Sequence, residues 1–161
     1  MARSDELARR LRDNEGRRRW PDFRRLLQVV LDHEITEQDR VGVEETEALK
    51  GLFYGRLRLG VGVTRRVMTH ESVAELWSEV GRLADRLADL DCVLLHQHDE
   101  YTGAIRLPAG AVLSNPARVW AVVGMDLRLA TEGAADGFCL ELNHAHPVDE
   151  YELSTWGRFT A

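Results

Sequence analysis

The spacing of hydrophobic residues changes near residue 90 of the chain. Before that point they recur every three or four positions, first in residues 23–31 and most regularly in residues 73–90. This spacing places apolar side chains on one side of an α-helix. Later segments, such as residues 125–130 and 138–143, alternate apolar and polar positions, which is typical of a half-buried β-strand. The pattern predicts an α+β fold in which helices precede the sheet.

Capping and breaking residues divide the first ninety residues into three or four helices. Ser4 is a good N-cap, and Gly16 can end the first helix in a left-handed conformation. Residues 17–19 then form a basic connector, and Pro21 begins the second helix at a position where its missing N–H costs nothing. A third helix is expected over residues 44–54, and a fourth, long helix begins after Thr69.

The last seventy residues predict a mainly antiparallel sheet of about five strands, in the order strand, strand, helix, strand, strand, strand. Residues 92–98 are apolar on both faces and indicate a central strand, which is followed by a strand over 101–107. Short connections between the last three strands favour a meander. Residues 57–63 alternate apolar residues with arginine and glycine, so they form either an edge strand or an extended loop.

The length of 161 residues predicts a single domain, with a mostly helical part (1–90) and an antiparallel sheet part (91–161). The chain has no apolar run of the roughly 20 residues that a membrane span needs, and it begins without the apolar segment of a signal peptide. Cys92 and Cys139 lie within apolar strands, where buried free thiols are expected. We therefore expect a cytoplasmic protein that does not contact a membrane.

The charge of the chain is distributed unevenly. The net charge is −6, yet residues 1–25 contain nine arginines and five acids, so the remaining chain carries −10. Residues 132–152 contain six acids and no lysine or arginine. This field repels nucleic acid and attracts basic proteins. Glu141, Glu150, Glu152 and Trp156 are the candidate contacts, because tryptophan among acids on an exposed sheet face is a natural anchor for a protein partner. The alternative is that a helix covers Trp156.

Two His-x-His pairs suggest a different chemistry. In a strand, i and i+2 side chains lie on one face, so His96, His98, His144 and His146 would gather at one end of the sheet if their segments were neighbours. The alternative is that His96, on the face of Leu94, is a core histidine and that the other pair lies in a turn. Imidazole ligands suit zinc or another divalent transition metal, which could activate a water molecule for hydrolysis. If the histidines do not bind a metal, we expect no cofactor.

Nucleophilic catalysis has little support in the sequence. No serine lies in a Gly-x-Ser-x-Gly turn, and the cysteines lie in apolar segments that disfavour reactive thiols.

The first functional hypothesis is therefore a non-enzymatic binding protein that uses an acidic sheet surface against a basic protein. Neutralising a basic toxin or enzyme, as small acidic bacterial immunity proteins and inhibitors do, is one form of it. A metal-dependent hydrolase or metal-binding protein built on the histidines is the first alternative. A small-molecule sensor, with its ligand between helices and sheet, is the second. The sequence leaves open the identity of the partner and whether the chain forms a homodimer.

Overall fold

The computed structural model of the chain describes residues 2–124, 126–143 and 150–160. It has the predicted α+β fold, with a six-stranded antiparallel sheet. Its α-helices are α1 (Ala2–Leu31), α2 (Val43–Leu59), α3 (Val73–Arg86), α4 (Asp99–Thr102), α5 (Ala109–Leu113) and α6 (Pro116–Val123). Its strands are β1 (Thr64–Thr69), β2 (Asp91–Leu95), β3 (Ile105–Pro108), β4 (Asp126–Ala130), β5 (Gly137–Asn143) and β6 (Glu150–Trp156).

The strand order across the sheet is β1-β6-β5-β4-β2-β3, and every neighbouring pair is antiparallel. The meander predicted for the last three strands is confirmed as β4-β5-β6. The sheet has one strand more than expected, because β1 lies in the part of the chain that the sequence assigns to helices. This strand reads Thr-Arg-Arg-Val-Met-Thr and is mostly exposed at the sheet edge, so it lacks the apolar alternation that would reveal a strand.

A single helix, α1, replaces the two helices and the basic connector predicted before residue 31. Glu15 binds Arg18 and Arg19, which lie one turn further on, and these bonds support the helix through the basic segment. Gly16 does not end the helix. It allows close packing instead, since a Cβ there would lie 2.2 Å from the carbonyl oxygen of Tyr101. Pro21 lies inside the helix rather than at its start.

Residues 57–63, for which the sequence left open an edge strand or an extended loop, do not form a strand, and only their second half is a loop. Residues 57–59 are the last turn of α2, and Gly60 ends that helix with a left-handed φ of 70°. The fourth predicted helix is α3, which begins after Ser72 because Thr69 is the last residue of β1. The strands predicted over 92–98 and 101–107 are shorter than expected, because the helical turn α4 separates β2 from β3.

Both faces of the sheet are covered, but to different extents. The larger core lies on one face, where buried residues of α1, α3, α5 and α6 pack against residues such as Leu94, Leu127 and Phe138. A smaller core lies on the opposite face under α2. α2 crosses only part of that face, and the described residues form no buried core over the remainder, which we call the open part of the sheet. Among the helices of the described residues, none combines the length and apolar character needed to cross a membrane.

Candidate protein-binding face

The open part of the sheet carries a row of carboxylates on three adjacent strands. Asp126 of β4 stands opposite Glu141 of β5, and Glu141 stands opposite Glu152 of β6. Glu150 lies two residues from Glu152 on the same face, opposite Asn143. All four carboxylates are half-buried. We call Asp126, Glu141, Glu150 and Glu152 the acidic face.

Like charges that stand directly opposite in a sheet repel each other, because their Cβ atoms are only about 5 Å apart. The pKa of Asp126 is raised, first by burial and then by the charge of Glu141. Glu152 has a partial counter-charge, since Arg65 Nη1 of β1 lies 3.9 Å from Glu152 Oε1. Among the described residues, Arg65 beside Glu152 and the nearby charge of Arg128 on Glu141 offset part of this repulsion. A positive group from outside would relieve the remainder.

The next row towards α2 contains Arg128, which stands beside Cys139 in the register. Burial lowers the pKa of Arg128, and its guanidinium lies 5.7 Å from the centre of the Tyr54 ring. Its Nε is buried and has no hydrogen-bond partner among the described residues. This arginine points to α2 through the tyrosine contact, so it marks the boundary between the covered and the open part of the sheet.

Trp156 shares a face with the glutamates of β6, as its position in the strand predicts, but it is not on the surface. It is fully buried, its ring centre lies 5.1 Å from that of Phe53 in α2, and its Nε1 donates a hydrogen bond to Ala134 O at 3.0 Å. Gly137 accommodates the ring, because a Cβ there would lie 2.0 Å from it. As a surface anchor for a partner, Trp156 is therefore ruled out in this fold, and it is a core residue instead.

The apolar side chain that is exposed next to the carboxylates belongs to Val67 and not to Trp156. Val67 of the edge strand β1 stands opposite Glu152, at the end of the carboxylate row, and its side chain is 56% exposed. Two more exposed apolar residues precede β1: Leu59 ends α2, and Val61 lies in the turn that follows. Carboxylates beside exposed apolar side chains provide both charge and contact area for a protein partner.

His96 is a buried core residue. Its ring stacks on Phe23 with centres 4.3 Å apart. Nε2 donates to the carbonyl oxygen of Gly103 at 2.9 Å, and Nδ1 accepts from the backbone N–H of His98 at 3.2 Å. Both ring nitrogens are thus engaged, and burial lowers the pKa of His96 to about 3. A metal would have to displace one of these bonds to reach the imidazole.

His98 lies next to His96 but is only partly buried. Its Nδ1 accepts a hydrogen bond from Arg19 Nη1 at 2.9 Å, and burial together with the charge of that arginine lowers the pKa of His98. The other two candidate ligands, His144 and His146, lie outside the described residues. Within residues 2–124, 126–143 and 150–160, no group of three or more histidine, cysteine or acidic side chains is arranged to hold a metal ion.

Sequence reasoning did not identify two members of this site, Asp126 and Val67. The polar alternation of β4 places Asp126 on the face opposite Leu127, but only the strand register brings it beside Glu141. The cysteines are buried as predicted, and burial raises the pKa of Cys92 to about 12 and also raises that of Cys139. Comparison of the chain with protein-family models, with curated protein sequences and with solved structures finds no match.

Proposed function

We propose that the chain is a non-enzymatic binding protein whose acidic face docks a basic protein. The observation that carries this proposal is the register of Asp126, Glu141 and Glu152, which places three carboxylates side by side on an open part of the sheet. Such an arrangement costs the free chain stability. A basic partner would remove this cost on binding, so the repulsion becomes a source of affinity.

Electrostatic attraction also gives the proposal a kinetic consequence. A concentrated negative field steers a basic protein towards the face and raises the rate of association at low salt. Val67 at the end of the row would supply apolar contact once the charges have met. Neutralisation of a basic toxin or enzyme is the form of binding that this combination suits best.

The experiment is comparative capture from an extract of the cells that contain the chain. Immobilised wild type is compared with the triple variant Glu141→Gln, Glu150→Gln, Glu152→Gln at low and high salt. A charge-matched control carries glutamine in place of three exposed acids on the helices, Glu44, Glu75 and Glu100. Because both variants lose three negative charges, their difference reports the position of the charges rather than their number.

The proposal predicts a basic protein that wild type and control retain at low salt and that the triple variant loses. The same protein should elute as the salt concentration rises, since screening weakens exposed charge interactions. Equal retention by the triple variant and the control would contradict the proposal. So would the absence of any captured protein at low salt.

A further inference from the structure

A cavity of about 430 Å³ lies on the other face of the sheet, between α3 and the strands β1 and β6. Its floor is apolar and consists of Val80, Leu83, Leu153 and Phe159, all of which belong to the larger core. Val80 and Phe159 are fully buried, whereas Leu83 and Leu153 are each 9% exposed, so a small part of this core is accessible from outside. Apolar cavities of roughly 300–1,000 Å³ with a few polar groups at the mouth are typical small-molecule sites.

The mouth of the cavity is positively charged, although the chain as a whole is acidic. Arg66, Arg82 and Arg86 line it together with one acid, Glu79. Arg66 forms an ion pair with Glu79 through two hydrogen bonds, one of them 3.0 Å long. Arg82 is exposed beside the same carboxylate. Glu75 also acts on Arg66, so three guanidinium groups against two carboxylates leave a smaller excess of positive charge.

Two contacts hold the opposite side of the mouth. Arg86 Nη2 donates to the carbonyl oxygens of Arg158 and Thr160, both at 3.2 Å, and so fixes the last turn of the chain against α3. Thr64 and Thr155 stand opposite each other in the register of β1 and β6, and both line the cavity. Their hydroxyl groups are neutral hydrogen-bond donors between the apolar floor and the arginines.

We propose that this cavity binds a small amphipathic organic anion, with its apolar part on the floor and its carboxylate at the arginine mouth. A volume of about 430 Å³, at roughly 30 Å³ for each water-sized group, accommodates about 14 non-hydrogen atoms. A linear carboxylate of ten carbons has a suitable size. Arginine suits the anionic end because its guanidinium can bind both carboxylate oxygens. The site lies on the face away from the acidic face and does not depend on the proposed function.

The test is a titration with decanoate, kept below the concentration at which it forms micelles, followed by the methyl signals of Val80, Leu83 and Leu153 in NMR spectra. Saturable shifts confined to these methyl groups and their neighbours are expected. Decyltrimethylammonium has the same chain length and the opposite charge, so it should bind at least about tenfold more weakly. Equal affinity for the two probes would overturn the assignment of an anion.

Three variants locate the site. Arg82→Ala should weaken decanoate binding about fivefold to tenfold, whereas Arg9→Ala, an exposed arginine of α1, should leave the affinity unchanged. Thr64→Phe places an aromatic side chain into the cavity from an exposed position of β1, and it should abolish binding while the chain remains folded. Decanoate binding that survives Thr64→Phe, or that responds equally to Arg82→Ala and Arg9→Ala, would refute the proposal.

Discussion

Replacing Glu141 by glutamine is expected to stabilise the free chain, because it removes the middle charge of the carboxylate row. Glu141 has one acid directly opposite on each side, Asp126 and Glu152. A like-charged pair in this position costs about 0.2–1 kcal/mol. Arg65, 3.9 Å from Glu152, offsets part of the repulsion on that side, and the substitution also removes the attraction between Glu141 and Arg128. The free energy of unfolding should therefore rise by about 0.2–1 kcal/mol.

Urea denaturation at pH 7 and low salt measures this gain, with Glu100→Gln as the control. Glu100 is exposed on α4, and its substitution should change the free energy of unfolding by less than about 0.5 kcal/mol. The gain for Glu141→Gln should shrink in high salt, because salt screens the repulsion. A loss of stability, or a gain that is independent of salt, would refute the repulsion on which the proposed function rests.

The same row has a pH dependence whose sign follows from Asp126. Its folded pKa is raised, so between the unfolded and folded pKa values the folded chain binds more protons than the unfolded chain. The contribution of Asp126 to stability therefore increases as the pH falls from 7 through its folded pKa. Because the charge of Glu141 is one cause of the shift, the increase should be smaller in Glu141→Gln.

Three further predictions concern the core. Gly137→Ala should destabilise the chain by about 3 kcal/mol in urea denaturation, because the new Cβ would overlap the ring of Trp156. NMR titration should find His96 neutral at pH 5, since its folded pKa is about 3. The unfolded chain gains that proton near pH 6.5, so this group lowers stability as the pH falls below 6.5, and a folded titration near 6.5 would contradict its burial. A thiol reagent should modify Cys92 and Cys139 only on unfolding, because both are buried with raised pKa values.

The sequence predicts those parts of the fold in which apolar spacing is regular. The alternation in β4 and β5 and the helical period of α3 each correspond to an element of the structure. The sequence does not predict β1, because a mostly exposed edge strand can form without an alternating apolar pattern. It also divides α1 at Gly16 and Pro21, since local helix-breaking preferences are outweighed by tertiary packing of Trp20, Phe23 and Leu27.

The sequence also predicts only some of the residues of the candidate site. Strand parity places Glu150, Glu152 and Trp156 on one face, and the structure places them there. Parity does not reveal how far along that face α2 extends, so it cannot separate the half-buried glutamates from the fully buried tryptophan. Asp126 joins the site only through the pairing of β4 with β5, which depends on long-range register. The cavity depends on the gap between α3 and the sheet edge, for which no local pattern exists.

The most direct test of the acidic face is the rate at which the captured partner associates with the immobilised chain over a range of salt concentrations. For wild type, the association rate constant should fall steeply as salt rises, because electrostatic steering is screened. The triple variant at Glu141, Glu150 and Glu152 should associate more slowly at low salt and show a much weaker salt dependence, whereas the Glu44, Glu75 and Glu100 control should follow wild type. Equal salt dependence of the two variants would contradict the proposed role of the face.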